Sequence, residues 1–187
     1  EAQRDRFLFK LNVGYPSPEE EREIIYRMGV KPPEAKQILT TEDLLRLQDV
    51  AANTFVHHAL VDYVVRIVTA TREPEKFGMP DAKAWIAYGA SPRASLGIIS
   101  ASRSLALVRG RDYVIPQDVV EVIPDVLRHR LVLTYDALAD EISAETVVNR
   151  ILQTVALPQV NAIPQQGHSV APVMAGAAGA PSGAPGR

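Results

Sequence analysis

Between His57 and Thr71 the apolar residues Leu60, Val64, Ile67 and Val68 fall on one stripe, with Asp62 and Arg66 off it. That is the 3.6-residue period of a helix with one buried face. The period returns after Ser91, where Ile98, Ile99, Leu105 and Ala106 face inward and Gly110 closes the run. It returns again after Ser143 with Val147, Val148, Ile151 and Leu152. GYPSPEEEREIIYRMG opens another helix: Ser17 caps it, Pro18 takes the first position, Glu20 completes a capping box and Gly29 is its natural stop. Thr41 reads as the cap of a helix through Gln48 or a little beyond. A helix also starts at Pro116, and Pro124 is expected to break or restart it, because a mid-helix proline loses a hydrogen bond and clashes with the preceding turn. Only one segment follows a different period. Phe7, Phe9, Leu11 and Val13 alternate with Leu8, Lys10 and Asn12, which predicts a strand. No second strong strand follows, so its partners are expected upstream, in a longer protein.

The fold class is therefore mainly α: a helical bundle with an orphan strand before it. KPPEAKQILTTEDL reads as a loop. TREPEKFGMPDAKAWIAYGAS is a second, long connection, and loops of that length inside a compact unit are more often functional than idle. From Asn161 onward the chain is Pro-, Gly- and Ala-rich with one charged residue. Too little apolar surface can be buried there to offset chain entropy, so the tail is expected to be disordered.

Composition narrows the function classes. The 187 residues are 47% hydrophobic and 22% charged with a net charge of -2, so no basic field points to nucleic acid. Cysteine is absent, which removes disulfides, thiol catalysis and cysteine-bound metal. No apolar stretch suits a bilayer span, and the N-terminus carries no signal-peptide pattern. There is no GxxxxGK[ST] phosphate loop, GxSxG elbow, HExxH or GxGxxG. His57 and His58 are neighbours on a helix and cannot chelate as an i, i+4 pair; His129 and His168 stand apart, and no metal site is expected. Glu19, Glu20 and Glu21 suit the positive end of the helix dipole without further function.

One position resists a structural account. Ser91 and Pro92 start a helix correctly, yet Arg93 follows in its first turn, where the dipole disfavours a cation by about 0.3–1 kcal/mol. A bound phosphate would reverse that sign, since helix N-termini favour anions. The competing account is an arginine with its head in water.

EAQRDRFLFKLNVGYPSPEEE resembles the segment of MoxR-family AAA+ ATPases that runs from the end of the nucleotide-binding core into the lid. YGASPRASLGIISASRSLALVRGRDYVIPQDV and DVLRHRLVLTYDALAD resemble the lid of that family. The likeness covers roughly residues 1–157 and implies three parts: a core remnant over 1–30, a helical lid over 31–157 and a tail over 158–187. It implies that Arg6, in DRF, is an arginine finger reaching the γ-phosphate of a neighbouring subunit. It also implies that Arg93, in SPR, is a sensor-2 arginine touching the γ-phosphate of its own subunit, with Ser91 and Pro92 on the nucleotide-binding side. Arg4 departs from the family pattern, standing where an apolar residue is expected before DRF, and is the second candidate for the finger. ATP and Mg belong to the longer parent, whose Walker A, Walker B and sensor 1 motifs lie upstream in this family. This segment alone is expected neither to bind them tightly nor to hydrolyse ATP. The resemblance further implies cytoplasmic homo-oligomeric rings, commonly hexamers, acting as chaperones, with a von Willebrand factor A-domain protein as a candidate partner. Neither nucleic acid nor membrane insertion is expected.

Two other accounts compete. One is a stand-alone helical interaction module with both arginines as surface charges. The other is a helix-turn-helix nucleic-acid binder using the arginines between Arg103 and Arg111, which the near-neutral charge disfavours.

Overall fold

The computed structural model describes residues 3–30, 32 and 34–160. The expectation of a disordered tail from Asn161 falls outside these residues. Among them the chain is mainly helical: α1 Pro18–Val30, α2 Thr41–Asn53, α3 His58–Ala70, α4 Ala82–Trp85, α5 Pro92–Val108, α6 Pro116–Leu127, α7 Tyr135–Ala139 and α8 Ala144–Thr154. Two short strands, β1 Ile86–Tyr88 and β2 Val132–Leu133, pair antiparallel, with Ile86 opposite Leu133 and Tyr88 opposite Val132.

Helix α5 is the centre. It packs against α6, α3 and α2, and α8 closes the bundle on α6 and α3. The stripe of α3 is buried at Leu60, Val64, Ile67 and Val68, joined by Tyr63. It meets Ile98 and Ala101 of α5, Val119, Ile123, Val126 and Leu127 of α6, and Val147, Val148 and Ile151 of α8 in one core. Each fully buried side chain of this size contributes about 1.5–3 kcal/mol of transfer free energy.

The caps explain most boundaries. Ser17 and Glu20 exchange the two bonds of a capping box, 3.3 and 2.8 Å, and α1 runs one residue past Gly29. Thr40, and not Thr41, caps α2: its hydroxyl accepts from the Asp43 N–H at 3.1 Å while the Asp43 carboxylate accepts from the Thr40 N–H. Ser143 caps α8. His57 is itself a cap, its Nδ1 accepting from the Ala59 N–H at 3.1 Å. Because it lies outside the helix proper, its ring sits 4.2 Å from that of His58 instead of on an opposite face.

Three expectations are corrected. Pro124 lies inside an unbroken α6. Its ring forfeits one hydrogen bond, but Val122, Ile123, Val126 and Leu127 are buried on both sides of it and outweigh a cost of about 3 kcal/mol. The long connection after α3 is not a bare loop; it folds as a single 3₁₀ turn over Pro74–Phe77, then α4 and β1. The strand expected over Phe7 to Val13 does not form: residues 3–8 are turn and bend, and 9–17 are irregular chain. An extended segment becomes a strand only when another strand takes up its backbone groups, and here side chains of the bundle do so.

Candidate functional site

The residues before α1 are seated on the bundle by three consecutive side chains just after α6. Arg128 donates to the Lys10 carbonyl at 2.6 Å, and the Lys10 N–H returns to the Asp125 carbonyl at 3.0 Å. The His129 Nε2 lies 2.9 Å from the Phe7 carbonyl. Arg130 does most. Its Nη atoms donate to the carbonyls of Asp5 at 3.1 Å, Phe7 at 2.6 Å and Leu8 at 3.1 Å, and to that of Val126. Its Nε donates to the Asp5 carboxylate at 3.1 Å.

Asp5 is the joint between the two motifs. One carboxylate oxygen takes the Arg130 bond, and the other accepts from the Ser91 hydroxyl at 2.9 Å. Ser91 in turn accepts from the Arg93 N–H at 3.3 Å, capping α5. The single O–H donor of Ser91 is therefore taken by Asp5, and Pro92 has no N–H to offer. The Ala94 N–H also turns inward, to the Ser91 carbonyl at 2.9 Å. What the start of α5 offers an anion is thus the Arg93 guanidinium and the helix field rather than a ring of free backbone donors.

Arg6 and Arg93, 87 positions apart in the chain, line one shallow cleft together with Asp5, Leu8, Leu96, Gly97 and Arg130. Both are exposed, and no described residue accepts a hydrogen bond from either guanidinium or pairs with it. Arg6 lies 5.3 Å from the Phe7 ring centroid, a contact on its own neighbour that leaves its donors unused. Arg4 is not among the cleft residues; its carbonyl accepts from the Phe7 N–H at 3.1 Å and closes the turn that projects Arg6. Two guanidinium groups that no described residue satisfies, beside an apolar rim, can take an anion such as a phosphate or a carboxylate by charge-assisted hydrogen bonds.

Electrostatics around the joint follow from burial. Removal from water pushes the Arg130 guanidinium below its ordinary value, with the Asp5 carboxylate pulling it back up. Burial likewise pushes His129 below 6.5, opposed by its bond to the Phe7 carbonyl. A neutral ring at pH 7 then donates through Nε2.

Sequence reasoning singled out Arg6 and Arg93, which the fold brings to one cleft, and Ser91 beside them, but not Asp5, Arg128, His129 or Arg130. A signal was present: RHR between the apolar runs VL and LVL places charge where the pattern calls for core. Buried charge of that kind is retained only with partners, and the partners could not be located from the sequence. Among the described residues no group of three or more His, Asp or Glu side chains is placed to hold a metal, and no helix is long and apolar enough to cross a membrane.

Residues 81–151 match the AAA lid domain family. The chain is 83% identical over 180 residues to Chaperone MoxR1 of Mycobacterium tuberculosis, covering 96% of this chain and 48% of that protein. It is 35% identical over 160 residues to the YeaC protein of Bacillus subtilis, covering 84% of this chain and 47% of YeaC. The chain thus spans about half the length of the curated relatives it matches. A crystal structure of a candidate ATPase from Cytophaga hutchinsonii superposes with a TM-score of 0.81 at 32% identity, over 84% of this chain and 48% of that one. The lid match over residues 81–151, which takes in the helix that carries Arg93, together with relatives matched over 84% and 96% of the chain, makes this chain a member of the MoxR family of AAA+ ATPases that carries its lid domain.

Proposed function

We propose that this chain is the regulatory half of an ATP site in a ring-forming, chaperone-like ATPase of the cytoplasm. Arg93 meets the γ-phosphate held by its own subunit, and Arg6 meets the γ-phosphate held by the next. The observation that carries the reading is the pair of guanidinium groups on one cleft with no acceptor among the described residues, one of them in a helix first turn that disfavours a cation. The lid takes in residues 31–157 and the Arg6 turn belongs with the core, so the two arginines come from different parts of the subunit. In the family this chain belongs to, ring assembly with further copies, commonly six, follows from the trans finger; a von Willebrand factor A-domain protein is the candidate client partner.

ATP with magnesium supplies the phosphoryl group and most of its charge neutralisation, and the residues present fit only one end of it. The two arginines suit phosphate oxygens. Nothing in the sequence forms a phosphate loop. The residues of this chain therefore orient the terminal phosphate, spread its developing charge and make hydrolysis conditional on lid closure and on a neighbour. An arginine finger acting in trans contributes about 10³–10⁵-fold in rate. The shared cleft also favours a second reading, in which both arginines meet one phosphate in the same subunit.

Mixed rings separate the two. In a full-length protein carrying this segment, Arg6→Ala should abolish most turnover while sparing nucleotide binding. Mixing it with a variant whose phosphate loop is inactivated should restore activity at mixed interfaces if Arg6 acts in trans. An inactive Arg6→Ala variant without restoration supports the single-subunit reading. Full activity of both Arg6→Ala and Arg93→Ala would overturn both.

A further inference from the structure

The carbonyls on either side of Arg6, those of Asp5 and Phe7, both accept from the same Arg130 guanidinium at 3.1 and 2.6 Å. The side chain of Arg130 is 3% exposed, so these bonds are made away from solvent. From Arg130 a continuous line of hydrogen bonds runs through the Asp5 carboxylate to the Ser91 hydroxyl and on to the backbone N–H of Arg93. The turn has room to seat because position 97 is glycine: a Cβ there would stand 3.2 Å from Leu8 Cδ1 and 3.4 Å from Val126 Cγ1. One buried guanidinium thus holds the backbone around Arg6, and one carboxylate ties it to the residue that caps the helix of Arg93.

We propose that Arg130 and Asp5 are positioning residues that set the Arg6 turn against the start of α5, so that the two phosphate-directed arginines are placed as a unit. This rests on the phosphate-site reading above. The physical need is preorganisation. Arg6 and Arg93 are long, exposed and without an ion-pair or hydrogen-bond partner among the described residues, so it is chiefly their backbone anchors that limit where the guanidinium groups reach. A misplacement of about 1 Å at a reacting centre can cost on the order of 100-fold in rate. Bonds from a single planar group to two carbonyls that bracket one residue fix both position and orientation, which one apolar contact does not. A lysine could not reproduce them, because its ammonium is a point donor without the fork of a guanidinium.

The test has a structural arm and a catalytic arm. In the present chain, amide exchange at Phe7 and Lys10, whose N–H groups bond to Arg4 and Asp125, reports seating of the turn. Arg130→Gln and Asp5→Ala should speed exchange at both amides by about 10-fold or more, with Val64 and Ile98 unchanged. Unaltered exchange at Phe7 and Lys10 would overturn the lock. In the full-length protein, each variant should lower kcat by about 10–100-fold with KM for ATP within about twofold. Arg130→Lys should not rescue. Combined with Arg6→Ala, Arg130→Gln should add no further loss, whereas a merely structural role would multiply the two defects and overturn positioning. If Arg130→Gln fails to fold, Ser91→Ala cuts the same line at its other end. It should lower kcat with the bundle intact, and unchanged kcat there would overturn the coupling. Full turnover of Arg6→Ala and Arg93→Ala would instead remove the underlying phosphate reading while the exchange arm still judged the lock.

Discussion

From His58 to Val155 nearly every helix buries a face: Leu60, Tyr63 and Ile67 of α3, Ile98 of α5, Ile123 and Leu127 of α6 and Ile151 of α8 are fully shielded. From Gln3 to Asn53 no described residue is buried. Helices α1 and α2 are both capped, yet Ile24, Ile25 and Tyr26 of the first and Leu44, Leu45 and Leu47 of the second remain exposed. What joins the residues before α1 to the bundle is polar and directional: the Arg128, His129 and Arg130 bonds to their carbonyls and the Asp5 bond to Ser91, whereas α2 lies directly against α5. Burial holds the bundle, and aimed hydrogen bonds hold the turn that carries Arg6. The first kind of attachment is strong and tolerant of small shifts; the second fixes geometry at low net energy, about 0.5–1.5 kcal/mol per neutral bond and about 1.5–3 for bonds to charged groups.

The sharpest way to break the contrast is to cut matched leucines. Leu60→Ala should lower stability by about 2–5 kcal/mol, whereas Leu44→Ala should cost well under 1 kcal/mol, both read by denaturant melts of the chain. A comparable loss at Leu44 would mean that α2 shares the core after all.

Next comes the polar anchor inside the bundle. Asp118 is fully buried between α5 and α6, accepting from Arg111 at 2.6 and 2.7 Å, from Arg109 at 3.1 Å and from the Ile115 N–H at 2.9 Å. Desolvation raises its pKa, but the two arginines and the backbone bond together hold it below the usual 3.8. Asp118→Ala should cost about 2–4 kcal/mol, since it strands partly shielded arginines. Because the folded value is depressed, this contribution is present above the unfolded pKa and is lost as pH falls through the folded one. An acid melt of Asp118→Asn should accordingly be flatter below pH 4 than that of the parent chain.

Two glycines sharpen the comparison further. A Cβ at Gly89 would stand 2.3 Å from the Thr71 carbonyl oxygen, a backbone atom that cannot yield, so Gly89→Ala should destabilise the bundle by about 1–3 kcal/mol. A Cβ at Gly97 meets the tip of a flexible Leu8 at 3.2 Å. Gly97→Ala should therefore leave the melt of the bundle nearly unchanged and speed amide exchange at Lys10. Equal effects of the two substitutions would erase the distinction between the regions.

The smallest expected effect is a pH response of the joint. His129 is depressed below 6.5 by burial, so between the folded and unfolded values the unfolded state binds more protons and stability rises with pH. Lowering pH through 6.5 toward the folded value should weaken seating of the early segment first, visible as faster exchange at Phe7 before any change at Val64. His129→Gln should remove that pH step.

Periodicity and cap chemistry are local, and they were sufficient for α1, α3, α5 and α8, because a stripe such as Leu60, Val64, Ile67 and Val68 can be buried in only one way. They misjudged positions where a neighbour decides. Pro124 reads as a break, but whether its missing hydrogen bond ends the helix depends on how much apolar surface lies on both sides of it. The alternation from Phe7 to Val13 reads as a strand, yet pairing needs a second strand, and the carbonyls there went to Arg128, His129 and Arg130 instead. At the site the two arginines were legible, Arg93 because a cation in a helix first turn is locally unfavourable and Arg6 through its motif. Their partners were not. Ser91 and Arg130 lie 86 and 125 positions from Asp5, and a hydrogen bond depends on distance and angle in space, to which spacing along a chain gives no access. Sequence alone thus settled α1, α3, α5 and α8 and the oddity of a cation at the start of α5, since each follows from neighbours within a turn or two; the seating of the Arg6 turn on α5 was decided only when folding brought a hydroxyl and a guanidinium within 3.1 Å of one carboxylate.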